Sequence, residues 1–364
     1  MRLLIAGGGT GGHLYPGLAV AAEFVKLDLG NKAGFIGTRK GIEARVLPET
    51  GYSLEFISIG GFLGKSFWQK ITFLFWFCVS VVQSLFYMVR ERPEVVLGTG
   101  GYVSAPPALA AWLLRIPVSL LALDVMPSQA VRFLSRFADE IYGGFPECPL
   151  YLNKKTKVFF TGNPIRQDMG NISKEQGIKE YGLEAGKKTI LIFGGSQGAH
   201  SINLTVLDSL DHLSRSGHLN DIQIIFQTGQ RDHGLVTKKC QNSKTLIQVL
   251  AYIDKMPQAM AAADLVISRA GAGVSETLAC GLPSILIPFP YAASNHQEYN
   301  ARSLEKAGAA EMILDRELTG QILAQKITRI LFDEKKYRTM AEAAKNLARP
   351  GAAKEIAERI FKSS

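Results

Sequence analysis

The sequence predicts an α/β protein of two similar domains, and three observations carry that prediction. Apolar runs that suit buried strands alternate with amphipathic stretches of helix length along most of the 364 residues. Two of those runs lead into glycine-rich turns: Leu3-Leu4-Ile5 into Ala6-Gly7-Gly8-Gly9-Thr10-Gly11-Gly12-His13, and Leu191-Ile192-Phe193 into Gly194-Gly195-Ser196-Gln197-Gly198-Ala199. Between them, Gly162-Asn163-Pro164 breaks the rhythm, and a lysine-rich polar segment (174–188) precedes its restart. Two domains follow, 1–161 and 162–349, each with a parallel sheet and the pair facing across a cleft. Length permits it, since each half is large enough for its own core.

In chain order, the first domain offers strands at 3–6, 33–37, 54–59, 95–98, 118–123, 140–143 and 158–161, with helical stretches such as 18–27 and 105–114 between them. The second repeats the pattern at 189–193, 222–227, 247–251, 265–268, 284–288 and 311–314. Residues 319–361 read as helical, interrupted by Arg349-Pro350-Gly351, where a proline stops one helix and lets another begin. The last helix, 350–364, is expected to pack back on the first domain.

Residues 65–92 stand apart. No charge occurs between Lys70 and Arg90, and the run holds Phe73, Leu74, Phe75, Trp76, Phe77, Val79, Val81, Val82, Leu85 and Phe86. A spanning helix needs about 20 predominantly apolar residues, so the length is at the threshold. Against spanning, Gln69, Thr72, Ser80, Gln83 and Ser84 share one helical face. The segment also fills the crossover slot between two strands of one sheet, and crossing a bilayer there would put parts of that sheet on opposite sides. Lys65, Lys70, Arg90 and Arg92 bracket it, and each basic residue near an anionic leaflet contributes about 1 kcal/mol. In-plane contact with an anionic membrane surface is the expectation, with Phe67, Trp68, Phe75 and Trp76 as contact residues.

Composition narrows the class. A formal net charge of +9 suits nucleic acid, an anionic membrane or a phosphorylated substrate. Four scattered cysteines (Cys78, Cys148, Cys240, Cys280) form no C-x-x-C pair, which argues against a disulfide framework or a zinc site and for a reducing compartment. Met1-Arg2 followed by a short strand and a glycine turn is not a secretory signal pattern.

A strand feeding a glycine turn ahead of a helix aims backbone N–H groups at a phosphate. Gly7-x-Gly9-x-x-Gly12 formally fits the dinucleotide fingerprint, which expects an acid at the end of the second strand to hold a ribose. That strand ends Gly37-Thr38-Arg39-Lys40, without one. NAD is disfavoured; NADP stays open because Arg39 can meet a 2′-phosphate. His13, at the mouth of the loop, suits a base or a phosphate donor.

Several motifs together resemble the MurG family. They are Gly8-Gly9-Thr10-Gly11-Gly12-His13-Leu14-Tyr15-Pro16, Gly98-Thr99-Gly100-Gly101-Tyr102-Val103-Ser104 and Thr161-Gly162-Asn163-Pro164-Ile165-Arg166 in the first half. Gly194-Gly195-Ser196-Gln197-Gly198-Ala199, Ser268-Arg269-Ala270-Gly271-Ala272-Gly273-Val274-Ser275-Glu276 and Asn295-His296-Gln297-Glu298-Tyr299-Asn300-Ala301 continue it over nearly the whole chain. The resemblance implies a GT-B architecture of two Rossmann-like domains and an inverting, metal-independent transfer of GlcNAc from UDP-GlcNAc to the MurNAc 4-hydroxyl of an undecaprenyl-linked acceptor, lipid I. Lipid II for peptidoglycan is the product. No cofactor and no nucleic acid are implied, and the location is peripheral, on the cytoplasmic face of the plasma membrane.

By the same resemblance, Arg166, Ser196, Gln197, Ile253 (through its backbone), Glu276, His296 and Gln297 bind the donor. A carboxylate such as Glu276 can accept both ribose hydroxyls, and Ser196 with its loop can hold the diphosphate at a helix N-terminus. Thr10, Gly11, Gly12, Gly101 and Tyr102 face the acceptor pyrophosphate, with His13 as base. One departure is clear. Where the family carries His-Glu-Gln-Asn, this chain reads Leu121-Ala122-Leu123-Asp124, while Pro127 and Arg136-Phe137-Ala138-Asp139 keep register. Asp124 is the residue left to act catalytically there. A related GT-B enzyme with another lipid acceptor, a UDP-sugar epimerase and an NADP-dependent oxidoreductase are the alternatives.

Overall fold

The computed structural model describes residues 1–60 and 67–363, the side chains of 67–71 excepted. It divides into two compact units, Met1–Arg166 with Arg349–Ser364, and Gln167–Ala348. The first junction thus falls after Arg166 rather than after residue 161, because Asn163 is tied into the first unit: its side-chain amide donates to the Leu123 carbonyl at 2.8 Å.

The first unit is a seven-stranded parallel sheet: β1 (Arg2–Ala6), β2 (Lys32–Gly37), β3 (Ser53–Phe56), β4 (Val95–Gly98), β5 (Val118–Ala122), β6 (Glu140–Gly143) and β7 (Lys157–Phe160), in the order β3-β2-β1-β4-β5-β6-β7. Its helices include α1 (Gly11–Leu27), α2 (Glu43–Val46), α3 (Phe67–Glu91), α4 (Ala105–Leu113) and α5 (Gln129–Leu134). Strand alternation sends β1 side chains to two cores: Leu4 and Ala6 to one face, Leu3 and Ile5 to the other. The second core is completed by the C-terminal helix Ala352–Lys362, whose Ile356, Ala357 and Ile360 are buried with Phe24 of α1.

The second unit repeats the plan with six parallel strands: β8 (Lys188–Phe193), β9 (Ile222–Gln227), β10 (Ile247–Leu250), β11 (Leu265–Ser268), β12 (Ser284–Leu286) and β13 (Ala310–Met312), in the order β10-β9-β8-β11-β12-β13. Strand order reverses between β1 and β4 in one sheet and between β8 and β11 in the other, and ligands of such sheets bind at that switch. Both glycine turns stand there, after β1 and after β8. The helical tail breaks once more than expected, at Phe332-Asp333, where the Asp333 carboxylate accepts from the Lys336 N–H and starts the helix Glu334–Leu347.

Helix α3 turns a mixed face to the core, where Phe73, Phe77, Val81 and Leu85 pack with buried Tyr87 and Met88. Of its expected polar face, Ser80 and Ser84 are fully buried, their hydroxyls donating to the carbonyls of Trp76 and Ser80, and the Gln83 side chain bonds Ser58, while Thr72 is exposed. A second apolar face points outward, with Phe75 62% and Trp76 44% exposed beside Leu74, Val82, Phe86 and Val89. By length and composition, Thr72–Glu91 is long and apolar enough to cross a membrane. Of the expected contact residues, the side chains of Phe67 and Trp68 lie outside the described set, as does Lys65.

Candidate active site

In the first unit, the base candidate is held by backbone. His13 lies in the first turn of α1, and its Nδ1 is 3.0 Å from the Thr99 carbonyl at the end of β4. A carbonyl only accepts, so Nδ1 carries the hydrogen and Nε2 the lone pair. Gly100 and Gly101, with φ of +97° and +72°, press the turn against the imidazole; a Cβ on either would sit 3.1 Å from the ring. Thr10 caps α1 without a side-chain hydrogen bond, so its side chain satisfies none of the first-turn N–H groups. Tyr102 reaches over Gly9; burial, then the Glu43 charge, raises its pKa. Asp124 follows β5, on the strand edge that carries these loops.

Glu43 is the residue that sequence reasoning missed. Wholly buried, its carboxylate accepts from the Gly9 N–H at 2.7 Å, the Thr38 N–H at 2.7 Å and the Thr38 hydroxyl at 2.9 Å. The acid absent from the end of β2 arrives at the start of α2 instead. Its signal was present: a glutamate just beyond Gly37-Thr38-Arg39-Lys40-Gly41, in a segment with no other reason to bury charge.

Arg166 belongs to the first unit, not to the donor domain, and its guanidinium stacks 4.4 Å over the Tyr15 ring. That corrects its expected place in the domain division.

In the second unit the loop after β8 is exposed at Gly195, Ser196 and Gln197 and leads into the helix His200–Arg215. Gln227, at the end of β9, braces it: its side-chain amide donates to the Gly195 carbonyl and its Oε1 accepts from the Ile253 N–H, both at 2.8 Å. The Ile253 N–H is therefore engaged within the protein, which leaves its carbonyl for any backbone contact with a ligand. Beside the loop, His200 Nδ1 contacts both Asp232 oxygens at 3.0 Å. Burial would raise the Asp232 pKa, but hydrogen bonds from Asn203 and His200 outweigh it and lower it.

Glu276 sits in the first turn of the helix Gly273–Ala279, after β11. The helix His296–Lys306 is brought against that turn: Asn300 donates to the Ala270 carbonyl at 3.0 Å, and Gln297 Nε2 lies beside Gly271 while its Oε1 accepts from the Phe289 N–H at 3.0 Å. Ser294 and Asn295 both adopt φ of +54°, a costly pair of left-handed non-glycine residues that aims His296. His296 Nδ1 lies 2.8 Å from the Ala293 carbonyl, so its Nε2 carries the lone pair. Arg269 locks the strand ends together, bonding Asp315 at 2.6 Å, the Ser201 hydroxyl at 2.8 Å and the Ile287 and Pro288 carbonyls at 3.1 Å. Glu276, His296 and Gln297 thus gather on one side of the second unit's switch and Ser196 and Gln197 on the other.

Comparison with known proteins identifies the family. Residues 3–143 match the glycosyltransferase family 28 N-terminal domain and residues 189–356 its C-terminal domain. A UDP-N-acetylglucosamine--N-acetylmuramyl-(pentapeptide) pyrophosphoryl-undecaprenol N-acetylglucosamine transferase of Thermodesulfovibrio yellowstonii is 44% identical, covering 98% of this chain and 97% of its own. The same-named transferase of Geobacter sulfurreducens is 41% identical over 100% of this chain and 99% of its own. The crystal structure of Acinetobacter baumannii MurG superposes with a TM-score of 0.77 at 28% identity, covering 99% of each chain. The chain belongs to the MurG family of UDP-GlcNAc-dependent transferases and has its GT-B fold.

Proposed function

We propose that this chain transfers GlcNAc from UDP-GlcNAc to the MurNAc 4-hydroxyl of lipid I, with the donor on the second unit and the acceptor on the first. His13 Nε2 takes the hydroxyl proton as the oxygen attacks the anomeric carbon opposite the departing UDP, inverting the α-linked donor to a β-linked product. The single observation that carries this role is the His13–Thr99 hydrogen bond, which leaves a lone pair on the outer nitrogen. The N–H groups of Gly11 and Gly12, with Thr10, Gly101 and Tyr102, hold the acceptor pyrophosphate, and Asp124 assists at the hydroxyl.

On the donor side, the Ser196-Gln197 loop holds the diphosphate, and its N–H groups stabilise charge on the leaving group. Glu276 accepts the ribose hydroxyls, while His296 and Gln297 orient GlcNAc. The Ile253 backbone completes the nucleotide contacts on the second unit. The outward face of α3, through Phe75 and Trp76, rests in the plane of an anionic leaflet on the cytoplasmic side, which brings the acceptor loops to a lipid-linked substrate. Phe67 and Trp68 extend that contact set in sequence.

A transfer assay with UDP-GlcNAc and a lipid I analogue tests the reading. GlcNAc appears on the acceptor faster than UDP-GlcNAc is hydrolysed; consumption of donor with no acceptor product sinks it. Binding to anionic vesicles weakens when Phe75 and Trp76 become Ser, and unchanged sedimentation returns α3 to a purely structural role.

A further inference from the structure

Glycines in a phosphate loop are ordinarily explained by the ligand, whose close approach leaves no room for a side chain. In the first unit the occupant is part of the protein. A Cβ at Gly8, at Gly37 or at Gly41 would overlap the Glu43 side chain, so glycines from the first loop and from the turn after β2 surround one carboxylate. Every hydrogen bond found for that carboxylate comes from a donor: Gly9 N–H, Thr38 N–H and Thr38 O–H. Two N–H groups and a hydroxyl thus converge on it, in the kind of concavity of backbone N–H groups that elsewhere holds phosphate.

We propose that Glu43 is a positioning residue for the acceptor site, an internal anion that sets the glycine loop before any substrate arrives. The inference rests on the acceptor assignment made above. Through Gly9 it fixes the approach to Thr10–His13. Through Thr38, whose N–H and hydroxyl both donate to the carboxylate, it fixes the turn after β2 beside the loop. The same charge closes the inner part of the loop to a second anion. An acceptor pyrophosphate is thereby confined to the outer N–H groups at the start of α1, next to His13, and a nucleotide diphosphate loses the inner seat it occupies in dinucleotide-binding folds.

The test uses Glu43→Gln and Glu43→Asp in the full chain. Gln fills the same volume but turns its NH₂ toward at least one of the donors; Asp keeps the charge at shorter reach. Losing one charge-assisted bond of this kind costs about 10–100-fold. In Glu43→Gln, kcat/KM for the lipid-linked acceptor falls by about that factor while UDP-GlcNAc affinity stays within about twofold of wild type. Amide exchange speeds up at Gly9 and Thr38 but not at 195–198, and Glu43→Asp recovers part of both effects. Unchanged exchange at Gly9 and Thr38 overturns the proposal, as does a matching loss of donor affinity, or a Gln variant more active than the Asp variant. Wild-type enzyme inert toward the acceptor defeats the acceptor assignment instead, and the exchange measurement still reads Glu43.

Discussion

The two glycine loops occupy equivalent places, each after the strand at which its sheet's order reverses, yet they differ in what fills them. In the first, Gly8 faces the Glu43 carboxylate and Gly7 faces the Thr99 side chain. In the second, a Cβ added at Gly195 would meet none of the described atoms within 4 Å, and that glycine adopts φ of +90° on an exposed turn. The first loop is packed around a side chain of the protein, whereas the second, packed on Ala199 and Thr228 at Gly194 and Gly198, leaves the space at Gly195 open. A glycine fingerprint therefore announces a turn that can surround an anion, and the rest of the chain decides whether the anion is a ligand.

Four experiments press on that contrast, in order of expected size. His13→Ala lowers transfer by about 10²–10⁴-fold while UDP-GlcNAc binding, measured by calorimetry, stays nearly intact. An equal loss in both would erase the division of labour between loops. Glu276→Ala weakens UDP-GlcNAc binding by about 10–100-fold, with acceptor KM little changed, because it removes a carboxylate that accepts two hydroxyls. Gly8→Ala costs about 2 kcal/mol of first-unit stability by overpacking Glu43, whereas Gly195→Ala costs about 1 kcal/mol through φ alone. Denaturant midpoints with amide exchange separate the two units; equal costs would mean that both loops are equally full.

The smallest effect serves as a control on the second unit. Glu311 is nearly buried and meets Lys326, Arg329 and Lys336, each at 2.6 Å. Burial pushes its pKa up, but these three cations outweigh that and bring it down to about 2. A folded-state pKa below the unfolded one contributes stability that is complete above about pH 5 and lost as pH falls through about 2. Glu311→Gln should therefore lower stability by about 1–2 kcal/mol at pH 7 and flatten the acid limb of the stability curve, leaving both loops and catalysis unchanged.

Strand positions were legible because buried parallel strands leave continuous apolar runs, and the strands found at β1, β4 and β9 follow those runs closely. Glu43 was not legible in the same way. The neighbouring Gly37, Thr38 and Gly41 are close in sequence, but its role depends on Gly8 and on Gly9, 34 residues earlier, and that long-range contact is not written in any local pattern. Helix α3 illustrates the opposite difficulty. Periodicity groups Ser80, Gln83 and Ser84 on one face, but only packing shows that this face turns inward together with Phe73 and Phe77, leaving Phe75, Trp76 and Phe86 outward. Ile253 was chosen by motif, while Gln227, which braces both it and the Gly195 loop, carried no motif at all.

The C-terminal helix has a consequence for how the protein is made. Ile356, Ala357 and Ile360 fill the core face beside Phe24, and Phe361 meets Phe24 edge-on at 6.5 Å. A ribosome delivers those residues after the whole second unit, so the unit that begins first is finished last. Until then α1 carries an uncovered apolar stripe, and the nascent first unit depends on chaperones, or on its own slow closure, for longer than its place in the chain would suggest.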